Sequence, residues 1–352
     1  MKTHPSEDVI AVIEAFLSVA DGTHPATKRE AGVALTKHNR RFLREFVEDG
    51  HALPTGALTI EKHLGYRFCG LAGAEPPEIL ALYAEIKGHA GTWTSHEQRV
   101  IDRSDGLVFA AQRMVDDWLE VIDGIAAGEA IKIPGRDRLL RLLRGSAARA
   151  AEERTLSVKA ATGLRGFATD IHDSFAARIT EKLLLIADTE FNTDNFMVRG
   201  QMRRLLKEIG EAERTYARLA DADEWNLLGR RFERSLYSAP TVEANEALEA
   251  LIYEYKKVVG QVAIVHRLQK SLCMRRVTLA NAALSARSGA QALQHLATVW
   301  ASVAAALEEL VVAYEAAEEP APLAAVAARL GAFVDAFKKI EALASVNDAT
   351  LR

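Results

Sequence analysis

Glu48 and His51 stand at the Glu-x-x-His spacing that sets a carboxylate and an imidazole on one helical face for a metal ion. A di-iron bundle needs two such pairs on facing helices. Glu48 and His51 form a single match, and Gly50 inside it marks an expected helix end. His89 and His96 are seven apart, but an expected turn lies between them and no carboxylate accompanies both. The ten histidines therefore carry no ligand pattern, and no metal or cofactor is expected. Phosphate loops rich in glycine, Gly-x-Ser-x-Gly elbows and His-Glu-x-x-His helices are all missing, so no catalytic residue is assigned. An enzyme would have to build its site from dispersed residues. Cys69 and Cys273 are far apart and fit neither a redox nor a zinc motif; both read as buried thiols of a reducing compartment.

The chemistry that remains is the chemistry of surfaces. In residues 223–240, DEWNLLGRRFERSLYSAP, the residues Trp225, Leu228, Phe232 and Leu236 recur at 3–4–4 spacing, with Tyr237 following. Arg230, Arg231 and Arg234 fall on other faces of that helix. Such a stripe either packs on a neighbouring helix or lies at a bilayer surface or on a partner. Gly88 and Gly91 flank His-Ala just before Trp93. They read as a helix end with a glycine turn, or as a hinge, which often uses the same residues.

The elements that must position these residues are helical nearly everywhere. Of 352 residues, 49% are hydrophobic and 26% charged, and the formal charge of −4 is mixed in sign along the chain, which offers no footprint for nucleic acid. Prolines mark breaks at 54, 76–77, 134, 240 and 320–322, and no run alternates as a strand does. After Trp93, Thr94 and Glu97 offer a capping box. Val100, Leu107, Met114 and Val121 then repeat in sevens, interleaved with Ala111, Trp118 and Ile125. From about 138 to 220 a second pattern buries Leu164, Phe167, Ile171 and Phe175, and the polar run 192–195 is placed to kink it. Charged stretches such as RRLLKEIGEAERTYAR read as solvated helix faces. A return pattern runs from Val242 through Leu248, Ile252 and Tyr255, and a last one through Leu296, Val299, Val303, Leu307, Leu310 and Tyr314. The longest stretch without Asp, Glu, Lys or Arg, residues 288–307, holds Gln291, Gln294, His295, Thr298 and Ser302 and reads as an Ala-rich packed helix, not a membrane span.

The economical architecture is all-α and elongated: a helical tail bundle of residues 1–130 and 295–352, and a long antiparallel coiled-coil hairpin stalk of residues 131–294 with its tip near 222–245. A straight ascending helix of some 75 residues would span on the order of 110 Å. The alternative is a globule of shorter helices.

Several stretches resemble the A-type subunit of the alpha-xenorhabdolysin family, the binary α-helical pore-forming toxins. They are ALPTGALTIEKHLGY, ILALYAEIKGHAGTW followed by EQRVIDRSDGLVFA, TGLRGFATDIHDSFAARITEKLLL, and LQHLATVWASVAAALEELV. The resemblance covers roughly residues 50–315. It implies a subunit of a multicomponent cytolysin, with a second toxin subunit as partner, homo- or hetero-oligomer formation and a membrane surface as target. Members carry a markedly hydrophobic segment at the hairpin tip. Here that place holds Asp223, Glu224 and Glu233 against Arg230, Arg231 and Arg234, so the expected role is accessory or partner-binding. The runner-up is a non-toxic helical scaffold derived from the same fold. No secretory signal opens the chain, so synthesis in the cytoplasm and release by a non-classical route are expected.

Overall fold

The computed structural model describes residues 5–23, 30–56, 59, 75–187, 196–222, 224–227, 230–233, 239–261, 267–317 and 319–343. Helix α1 is Pro5–Ala20 and α2 is Lys37–His51. Thr36 caps α2 reciprocally: its hydroxyl accepts from the Asn39 amide at 3.1 Å, while the Asn39 side chain accepts from the Thr36 amide at 3.2 Å. Two long elements start at proline breaks. Helix α3 is Pro76–Ala126 and begins on the Pro76-Pro77 pair. Helix α4 is Ile133–Thr169, with Pro134 in its first turn. Helix α8 is Arg267–Ala316, and α9, Pro320–Glu341, closes the described chain.

The frame is a set of near-parallel rods. Helix α4 packs antiparallel along α8 as the principal pair, α3 packs on α4 and α9, and α1 and α2 lie against α8. At 1.5 Å per residue, the 50 residues of α8 extend about 75 Å, longer than the roughly 50 Å of a compact domain of this size. The expected apolar seams are buried: Val100, Leu107, Met114, Trp118 and Val121 on α3, Leu164 and Phe167 on α4, and Leu296, Val299, Val303, Leu307, Leu310 and Tyr314 on α8. Small residues let the rods approach. A Cβ on Gly50 of α2 would come within 2.6 Å of the Ala90 Cβ, so the glycine sets the α2–α3 distance. At the tail end Trp118 meets Phe337 edge-on at 4.8 Å, and Trp300 meets the same ring at 6.1 Å. There Arg136 donates to the carbonyls of Tyr314, Glu315 and Ala317 at 3.1, 2.8 and 2.7 Å, capping the C-terminus of α8 with a cation.

The other end departs from a straight hairpin. Helix α4 runs through a π-helical turn, Asp170–Ala176, into α5, Ala177–Ala187. Helix α6, Phe196–Ala222, then runs back beside that turn, and α7, Ala239–Gln261, lies antiparallel to α6. Arg204 of α6 approaches Glu254 of α7 at 3.6 Å, and the Tyr255 hydroxyl of α7 donates to the Cys273 sulfur of α8 at 3.4 Å. The ascending limb is therefore folded in two, and the segment expected at a far tip is brought back along the shaft. Residues 192–195, expected to kink the helix, lie outside the described residues.

Two helices among the described residues are long and apolar enough to cross a membrane by length and composition, 271–316 and 320–340. The first is the core rod, with 72% of its most apolar window buried in the protein. The second buries Leu323, Val326, Leu330, Phe333 and Phe337 on its inner face.

Candidate functional site

The expected tip helix is not a helix. Residues Glu224–Leu227 form strand β1 and Arg230–Glu233 form strand β2, an antiparallel pair with Trp225 opposite Phe232, Asn226 opposite Arg231 and Leu227 opposite Arg230. The 3–4–4 stripe carries Gly229 in its middle, and glycine costs about 1 kcal/mol in a helix interior. Leu228, Leu236 and Tyr237 lie outside the described residues. Strand β2 lies against α8, so the hairpin rests on the shaft of its own chain.

Of the two readings of Gly88 and Gly91, helix end or hinge, the helix end is overturned. They sit on the exposed face of uninterrupted α3, where a Cβ would meet nothing, so neither is a helix end nor a turn. Packing overrides the local break signals around them. The His89 ring stacks on Phe167 at 4.4 Å, Trp93 meets the same ring at 5.4 Å, and the Thr92 and Ser95 hydroxyls donate to carbonyls three residues back. His96 joins at 5.2 Å. Burial lowers the pKa of both histidines; the Phe167 carbonyl partly offsets this for His89, and Arg99 adds to it for His96. These are packed rings around one phenylalanine. Among the described residues no three His, Cys, Asp or Glu side chains gather as a metal site. Glu48 and His51 both sit on exposed surface. Cys273 is a buried thiol whose pKa burial pushes up to about 11, while Cys69 lies outside the described residues.

A buried ionic cluster ties the folded arm to α5 and α8, beside the buried apolar stripe of Met202, Leu206, Ile209 and Tyr216. Glu213 of α6 and Arg276 of α8 are 5% and 4% exposed. Arg276 donates from both terminal nitrogens to the two Glu213 oxygens, at 3.2 and 2.9 Å, and from Nε to the Thr180 hydroxyl of α5 at 2.9 Å. His172, in the π-helical turn, brings Nε2 to 3.0 Å from the same carboxylate, while its Nδ1 faces Asp173. Carboxylates only accept, so this geometry favours the doubly protonated ring. Its pKa is raised, first by the Glu213 hydrogen bond, against burial. Burial alone would raise the Glu213 carboxyl; the Arg276 charge and the bonds from His172 and Arg276 outweigh it and hold the pKa at about 2. Nearby the Tyr216 hydroxyl donates to Gln291 of α8 at 2.7 Å.

Glu213 lies in the stretch expected to be solvated, which the structure corrects. A signal existed in the sequence. Met202, Leu206, Ile209 and Tyr216 make an apolar stripe, and Glu213 occupies the place between Ile209 and Tyr216 where that stripe requires a residue. Arg276 interrupts the stripe of Leu272 and Leu279 in the same way.

No family model matches the sequence, and no curated protein matches it. Solved structures do. YaxA from Yersinia enterocolitica superposes with a TM-score of 0.50 at 17% identity, covering 90% of this chain and 98% of that one. Soluble SmhA of the tripartite alpha-pore forming toxin Smh from Serratia marcescens gives 0.51 at 13% identity, covering 97% and 95%. XaxA from Xenorhabdus nematophila gives 0.49 at 18%, covering 91% and 98%. At these identities the likeness is one of fold: the chain is an elongated all-α protein folded as YaxA and SmhA are, which is the architecture that the alpha-xenorhabdolysin resemblance implied.

Proposed function

We propose that the chain is a subunit of a multicomponent α-helical pore-forming toxin, acting as an accessory or partner-binding component. The observation that carries this reading is the pairing of a long α4–α8 shaft with an arm, α6–β1–β2–α7, folded back along it and held by a buried ionic cluster. Elements stored in this way hide surface in one state and offer it in another. The match to YaxA and SmhA over nine-tenths of the chain or more supports the same reading. The hairpin around Trp225 and Phe232 is the partner- or membrane-contacting element of this proposal. With two glutamates and two arginines in its eight strand residues it is too polar to pierce a bilayer alone, so a second subunit supplies the spanning element.

The charged hairpin is also compatible with a runner-up reading, a helical interaction protein on the same fold. Dye leakage from liposomes and lysis of erythrocytes, measured with this chain alone and with the product of a neighbouring gene, separate the two. Leakage only with both proteins supports the toxin reading. Stable complex formation without leakage favours the interaction protein.

A further inference from the structure

Where α2, α7 and α8 meet, an apolar seam is the expected way to pack three helices. Instead α8 presents Asn281, Ser285 and Ser288, at helical spacing, to a half-open cavity of about 320 Å³. Ser285 is 2% exposed, so polar groups reach the floor of the cavity and not only its mouth. Asn245 of α7, half-buried, lines the wall and donates to the exposed Glu249 at 3.0 Å, so a carboxylate stands in the same lining.

The rim has a different character. Tyr253 of α7 is 62% exposed with Lys257 over its ring at 4.6 Å, and Phe42 of α2 lines the same cavity, so two aromatic rings contribute to its wall. Arg41 and Lys256 bring two cations to the same rim. Arg41 lies over the Phe42 ring at 5.0 Å. An adjoining cavity of about 480 Å³ shares His38 and Arg41 and is lined further by Lys37, Arg40 and Arg44 together with Glu30, Glu45 and Glu48, so its charge is mixed.

We infer that this cavity binds an anionic sugar, a carboxylated saccharide of one or two rings. Its volume is that of a small-ligand site, which pairs an apolar lining with a few fixed polar groups. Amides and hydroxyls on the floor offer the mixed donors and acceptors that a polyol needs. The aromatic rings take the C–H face of the sugar, and Arg41 and Lys256 take the carboxylate by charge-assisted bonds. A neutral sugar draws on none of the positive charge that Arg41, paired with Glu45 at 3.7 Å, and Lys256 bring to the rim, and a bare phosphate leaves the floor and rings unused. The inference does not rest on the pore-forming reading.

The test is a calorimetric titration of the full chain with sialyllactose, lactose and inorganic phosphate, alongside flotation with vesicles that carry a sialylated glycolipid. Saturable binding of sialyllactose, at least about tenfold tighter than lactose, is the expected result. Arg41→Ala and Lys256→Ala, both on exposed positions, remove that preference, and Ser285→Leu fills the floor and abolishes binding of either sugar. Flotation with the glycolipid vesicles, but not with the same vesicles lacking the glycolipid, assigns the saccharide to a membrane headgroup, whereas binding of the soluble sugar alone assigns it to a free sugar acid; both outcomes support the site. Equal affinity for lactose, phosphate that competes as well as the sugar, no saturable binding, or unchanged binding in the two surface variants would overturn it. Those surface variants keep the test decisive even where Ser285→Leu fails to fold.

Discussion

Glu213 lies 3.0 Å from His172 although 41 residues separate them in sequence. Were α4, α5 and α6 one straight helix, the two would stand about 60 Å apart. The contact therefore defines the arm's position: α6 is folded onto the π-helical turn, and Arg276 of α8 locks it from the other side at 2.9 Å. The chain has an elongated frame, whose tail end is pinned by aromatic packing, and an opposite end whose second layer is held partly by charge.

Breaking one partner of this cluster leaves the other buried and uncompensated. Glu213→Ala or Arg276→Ala is expected to cost about 3–5 kcal/mol in urea unfolding. Replacing both with apolar residues of similar volume, Glu213→Leu with Arg276→Met, is expected to restore most of that loss. Recovery in the double variant identifies desolvation as the cause; a double variant as unstable as the singles would contradict it.

The cluster also sets a pH window. The folded-state pKa of Glu213 is depressed to about 2, so its contribution is present above about 4.5, the ordinary value, and is lost as pH falls toward 2. That of His172 is raised, so its contribution is full below about 6.5 and is lost as pH climbs through the raised value. Asp173, Arg276 and Arg287 are the other charges acting on these two groups. Between roughly pH 4.5 and 6.5 the arm is held most tightly. Thermal melts across pH 3–9 should show Glu213→Gln flattening both flanks at once, because the same carboxylate raises His172. A variant profile parallel to that of the parent chain would refute the coupling.

Glycine substitutions should divide by packing, not by sequence context. Gly88→Ala and Gly91→Ala lie on an open helical face and are each expected to stabilise by up to about 1 kcal/mol. Gly50→Ala meets the Ala90 Cβ, an atom fixed to the backbone of α3, and is expected to destabilise by about 1–3 kcal/mol. Chemical denaturation of the three variants checks both signs. If Gly88 and Gly91 bend on assembly with the second subunit proposed above, the alanine variants will also slow that assembly without weakening the fold of the chain alone.

The long rods were legible because their apolar positions recur at a period that only a helix satisfies, as with Val100, Leu107, Met114 and Val121 on α3. The reversal between α5 and α6 was not legible. A buried stripe such as Met202–Leu206–Ile209 is the same whether it packs on a distant limb or on the chain's own earlier turn. Thr94 and Glu97 form a capping pattern that went unused, since His89, Trp93 and His96 all pack against Phe167 and carry α3 straight through. At the hairpin, the spacing of Trp225, Leu228 and Phe232 pointed to a helix, while Gly229 carried the stronger conformational preference. Glu213 could be read only by noticing a charge where an apolar stripe needed a side chain.

The central claim is that the soluble chain stores its arm against the shaft. Spin labels at Ala177→Cys and Glu211→Cys, both exposed, in a Cys69→Ser background that leaves Cys273 buried, report that arrangement by pulsed electron resonance. A folded arm places the labels within about 30 Å, on neighbouring helices, whereas a straight limb separates them by about 50 Å. A short distance in solution that lengthens on addition of the partner and liposomes is the result predicted here. A distance near 50 Å in the soluble protein would contradict the account.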